Sequence, residues 1–133
     1  MFRFNKPVDI IQLFHRANSP ASVKVANFLK QVSASVSQSA AEDQGQRDPF
    51  ELSISEDDPT PGQVETILEY AGKPAISSII KGANSPSEAI KLFKQNASNL
   101  NRPLIVDWNN GKVYAGTEES AILKLLNALP PKN

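Results

Sequence analysis

The chain changes its apolar period several times. "VDIIQLF" (Val8 to Phe14) is apolar at almost every position. That suits a central strand covered on both faces. Further on, Val25, Leu29, Val32 and Val36, with Phe28 beside them, recur at helical spacing. The pattern then fades into "SASVSQSAAEDQGQRD", rich in Ser, Ala and Gln. This reads as a fraying helix end and a mobile linker over about 37–47. "FELSIS" alternates Phe50, Leu52 and Ile54 with polar residues, as an edge or half-exposed strand does.

Three helices are expected to start alike, at Ser19-Pro20, Thr60-Pro61 and Ser85-Pro86. A hydroxyl caps an orphan N–H, and Pro supplies a preset φ where no N–H is needed. Gln63 and Glu88 stand where each would close a capping box. Val64, Ile67, Leu68 and Ala71 form one apolar stripe, ended by Gly72. "KPAISSIIKG" reads as a short helix or turn with Ile76, Ile79 and Ile80 inward. "PLIVDW" and "KVYAG" read as strands joined at Asn110-Gly111, a hairpin signal in which both turn residues take positive φ. A last helix is expected, capped by Thr117 and stopped by Pro130 and Pro131. Glu118 and Glu119 complement its positive end, and Ile122, Leu125, Leu126 and Leu129 face inward.

The order is β-α-β, then helices, a hairpin and a helix. A parallel first pair follows from the crossover. The hairpin must add antiparallel strands, and helices on both faces are the economical packing. The expectation is an α/β fold with a four-stranded mixed sheet in the order 2-1-3-4. "FELSIS" in the middle of the sheet would contradict it.

At 133 residues the chain fits one domain, 1–133. The 14 basic and 14 acidic groups balance. That removes the electrostatic case for nucleic acid. The charges are segregated, however. Residues 1–30 carry Arg3, Lys6, Arg16, Lys24 and Lys30 against Asp9, whereas residues 31–72 carry nine acidic groups against Arg47. The absence of cysteine excludes disulfides, thiolate metal sites and thiol catalysis by this chain alone. No apolar run approaches the ~20 residues of a membrane span. The opening "MFRFNKPVDIIQLF" leaves no room for a removable secretory signal and barely room for an amphipathic transit peptide.

"RPLIVDWNNGKVYAGTEESAILKLL", with "LFHRANSPASVKVANFLK" upstream, resembles the fungal mitochondrial thioredoxin-like proteins described as redox proteins. More distantly it is similar to the arsenate reductase-like branch of the thioredoxin superfamily. The resemblance implies a thioredoxin-like fold with a helical insertion before the C-terminal hairpin, and a mitochondrial location. In the arsenate reductase-like pattern a His ends the first strand, matched by His15, and a cysteine opens the first helix, where Ser19 stands. An Arg-Pro pair opens the third strand, matched by Arg102 and Pro103, and that Pro is often cis. An arginine expected near Gly116 and Thr117 is missing. The fungal family's redox cysteine falls near Leu92.

Ser19 therefore has two readings. It caps a helix, like its two counterparts, or it joins Ser22 and Arg102 around an anion at the helix N-terminus. No G-x-S-x-G pattern supports a serine nucleophile, and neither GxxxxGK[ST] nor GxGxxG occurs. His15 is the only histidine, so metal ligation is not expected. Trp108 and Phe93 read as core, and Asp107 as a turn acceptor. No cofactor is expected. The function expected first is a non-catalytic binding or assembly module with an unidentified protein partner. The alternative is an oxidoreductase borrowing an external thiol such as glutathione, held by Ser19, Ser22, Arg102, Pro103 and His15.

Overall fold

The computed structural model describes residues 9–39 and 49–127. Strand β1 (Asp9–Phe14) pairs in parallel with β2 (Phe50–Ser55) and antiparallel with β3 (Leu104–Asp107). Strand β4 (Lys112–Ala115) pairs antiparallel with β3. The order is β2-β1-β3-β4, as expected, with "FELSIS" at an edge.

Alternation along the strands divides the interior in two. Ile11 and Leu13 of β1 and Ile105 of β3 face α1 (Pro20–Ser39) and α5 (Glu119–Leu126). Phe14, Leu104 and Val106 face the opposite way, onto α2 (Pro61–Ala71), α3 (Ile76–Ile79) and α4 (Pro86–Gln95). All four residues of β3 are buried, because it has a helical layer on each side. Val25, Phe28, Leu29, Val32 and Val36 are buried along α1, as their spacing requires. Ile76, Ile79 and Ile80 are also buried, following a 3-10 turn at Lys73–Ala75.

Several local expectations change. Helix α1 runs to Ser39, and the expected linker beyond it lies outside the described residues. So do Leu129, Pro130 and Pro131; α5 already ends at Leu126, and Asn127 after it is in the left-handed region at φ 57°. The Thr60–Gln63 capping box is complete, with its two bonds at 3.1 and 2.9 Å. The second box is only half formed. Ser85 Oγ accepts the Glu88 N–H, but the Glu88 carboxylate takes the Asn84 N–H at 2.7 Å.

The hairpin is wider than a two-residue turn. Asp107 pairs with Lys112, leaving Trp108 to Gly111 as the loop, and only Gly111 there has positive φ. The Asp107 carboxylate accepts both the backbone and the side-chain N–H of Asn110, at 3.2 and 2.9 Å. These bonds hold a longer loop, of the kind usually built around a type I turn. Trp108 is half-buried, not core. Its ring N–H donates to Gln12 at 2.9 Å, and Tyr70 meets it edge to face. At the start of α5 the cap position is Glu118, not Thr117. Glu118 makes no side-chain cap bond, and the Tyr114 hydroxyl accepts the N–H of Glu118 itself at 3.1 Å.

Candidate functional site

The parallel strands β1 and β2 end side by side, and ligands in open α/β sheets gather outside such carboxyl ends. Helices α1 and α2 begin at this end, and β3 enters it through Arg102 and Pro103. The Arg102–Pro103 peptide bond is cis. The sheet topology thus brings His15, Ser19, Ser22 and Arg102 into one neighbourhood.

His15 follows the last residue of β1, and its N–H donates to the Ser55 carbonyl at 2.8 Å. Its ring Nδ1 lies 2.6 Å from Ser22 Oγ. Ser22 is fully buried, and its Oγ also accepts the Arg16 N–H at 2.9 Å. Among the described contacts Nδ1 is the acceptor within reach of the Ser22 proton, and a hydroxyl that donates there goes with an imidazole proton on Nε2. This is the reach of a nucleophile and its base. Burial excludes that role, since no substrate can approach Oγ. Ser22 instead orients the ring and closes the turn between β1 and α1.

Ser19 is half-buried, and its Oγ accepts the Ser22 N–H at 3.3 Å. This is the bond of a helix cap to the third helical residue. The neighbouring Ala17 N–H goes to the Glu56 carboxylate at 2.9 Å.

Arg102 is the best-bonded side chain of the group. Only 5% of it is exposed. One terminal nitrogen donates to the carbonyls of His15 and Glu56, at 3.2 and 3.3 Å. The other donates to the Asp57 carbonyl at 3.4 Å and to the Asp58 carboxylate at 2.7 Å. A guanidinium presents five N–H groups in a rigid fork. Here its two ends tie the β1–α1 loop and the β2–α2 loop to the entry of β3. The arginine is legible in the sequence, but three of its four acceptors are backbone carbonyls, which carry no residue signature.

An open groove of about 570 Å³ runs beside this end, past Ala17, Pro20 and Val23 of the α1 entry to Glu119 of α5. His15, Ser19, Ser22 and Arg102 do not line it. Leu92, the other position of interest, is half-buried on α4 against the second core, on the opposite side of the sheet from α1. The two places considered for a cysteine are thus not one site. Among the described residues no three His, Asp or Glu side chains gather as they would around a metal ion. No described helix is long and apolar enough to cross a membrane.

The sequence profile of a family described as "Protein of unknown function (DUF1687)" matches residues 2–116. A protein of the fission yeast Schizosaccharomyces pombe, named "Putative redox protein fmp46, mitochondrial", is 31% identical over 64 residues. That alignment covers 48% of this chain and 53% of the relative, so the chain spans about half the length of the curated relative it matches.

Proposed function

Since the chain belongs to the DUF1687 family, we propose that it is a mitochondrial binding or assembly module on a thioredoxin-like fold, a single domain over 1–133 without thiol chemistry of its own. The location follows the mitochondrial relative. The fold reading rests on the order β2-β1-β3-β4 with a parallel first pair and an antiparallel hairpin. The observation that carries the function is the state of the sheet's end in a chain without cysteine. Arg102 gives its terminal N–H groups to its own chain, and Ser22 is spent on His15 and Arg16. A ligand would have to break those bonds before it made any. The groups that would hold an anion act as internal joints, and the protein works through its surface.

A second reading is an oxidoreductase that borrows the sulfur of glutathione beside Ser19 and His15. The relative's name favours it. One experiment separates the two. The purified protein is melted with reduced glutathione, oxidised glutathione and sulfate, and assayed for glutathione-dependent disulfide exchange. The module reading expects unchanged melting and exchange at the rate of glutathione alone. A clear rise in melting temperature together with saturable turnover would establish the second reading instead.

A further inference from the structure

Helix α2 carries Glu65 and Glu69 four positions apart, on one face. Both are exposed, and neither side chain makes a hydrogen bond or ion pair with a described residue. Like charges at that spacing weaken a helix, so the pair returns nothing to this fold. Leu68, beside them on α2, is 3% exposed and turns into the second core. Beside them, between α2 and α4, runs a groove of about 290 Å³. Its remaining walls are Pro86, Ser87 and the half-buried Ile90. The floor is apolar and one rim is anionic.

The segment that leads into α2 carries the same sign. From Pro49 to Gly72 the chain has Glu51, Glu56, Asp57, Asp58, Glu65 and Glu69, and no Lys or Arg. Asp58 is neutralised by Arg102 and Glu56 accepts the Ala17 N–H. Glu65 and Glu69 remain as unspent charges facing an apolar trough.

We propose that the α2–α4 groove is the docking surface for a basic amphipathic helix of a partner protein. The partner's apolar stripe lies on Leu68, Pro86 and Ile90. Lysines or arginines flanking that stripe, one helical turn apart, meet Glu65 and Glu69. An amphipathic helix in an apolar groove is an established recognition mode, and a single-signed rim steers and orients such a partner. An acidic or neutral helix would meet the same trough with repulsion or without register. This inference rests on the reading of the protein as a binding module and names the chemistry of its partner.

The probe is a fluorescent synthetic helix with leucines along one face and lysines flanking them. It is titrated by anisotropy against the full chain and against the double variant Glu65→Gln/Glu69→Gln. The glutamates are exposed, so the variant should melt like the wild type, which circular dichroism checks. Each exposed pair contributes a modest amount, so removing both is expected to weaken binding roughly tenfold. Added salt should weaken wild-type binding more than variant binding. A peptide of the same composition with its leucines scattered, and one with glutamates for lysines, should bind far less. Absence of wild-type binding, equal affinity of the double variant, or equal binding of the scattered peptide would each overturn the groove. A crosslinked mitochondrial partner retained by the double variant would also overturn it while leaving the module reading intact.

Discussion

Replacing Arg102 is the sharpest test of how the sheet's end is held. Arg102→Ala removes three bonds to carbonyls, at 3.2, 3.3 and 3.4 Å, and one to a carboxylate at 2.7 Å. A hydrogen bond to a charged group contributes about 1.5–3 kcal/mol at good geometry, and these carbonyl contacts are long. Glu56 and Asp57 are exposed, so water can replace the arginine there. The His15 carbonyl is part-buried, and the arginine stem loses its packing. The expected loss is about 2–4 kcal/mol. Arg102→Lys keeps the charge but cannot fork, and should cost about half as much. Asp58→Asn should cost no more than about 1 kcal/mol, because the Asp58 side chain is 56% exposed and the pair is screened. Urea unfolding, followed through the lone Trp108 and by circular dichroism, gives all three values. If Asp58→Asn proves as damaging as Arg102→Ala, or if Arg102→Ala costs under about 1 kcal/mol, the carbonyl clamp is not what holds this end.

Other expectations concern neighbouring joints. Ser19→Ala should lose about 0.5–2 kcal/mol and Ser19→Gly a few tenths, while Ser19→Asp stays level because a carboxylate suits a helix start. An anion-induced rise in wild-type melting that Ser19→Asp abolishes would instead make Ser19 part of a ligand site. Ser22→Ala should cost about 1–3 kcal/mol, since it strands the Arg16 N–H beside a hole at a fully buried position. Nitrogen NMR of the single histidine should show the proton on Nε2 in the wild type; an Nδ1–H ring would refute the assigned direction of the Ser22 bond. Gly116 has φ 155°, and an added Cβ would lie 2.5 Å from the Tyr114 hydroxyl. Gly116→Ala should therefore destabilise by about 1–3 kcal/mol, with partial rescue by Tyr114→Phe, as thermal melts would reveal.

The sheet order was legible because strand burial is written in alternation. "VDIIQLF" could only be central, and "FELSIS" could only be half covered. The helix starts were legible because capping is a contact between near neighbours. What failed was local chemistry overridden from a distance. Asn110-Gly111 looks like a tight turn until the Asp107 carboxylate claims Asn110 and Trp108 is drawn toward Gln12, ninety-six positions away. Thr117 looks like a cap, but the helix begins one residue later, behind Glu118, whose N–H goes to the Tyr114 hydroxyl. At the sheet's end the residues His15, Ser19, Ser22 and Arg102 were visible, but their bonds were not. The His15–Ser22 pair spans a strand end, a turn and a helix, and three of the four Arg102 acceptors are backbone carbonyls.

The entrance to α1 is nearly out of hydrogen-bond donors. Pro20 has no N–H, the Ser22 N–H is taken by Ser19 Oγ, and the Val23 N–H by the Ser19 carbonyl. Among the described contacts Ala21 alone keeps its N–H free. A diffusing anion finds little there to grip. A sulfur carried on residue 19 itself needs no grip, for the backbone already holds it in place. The helix field would favour its thiolate. Ser19→Cys would weaken the cap bond to the Ser22 N–H and set a thiol at the same place.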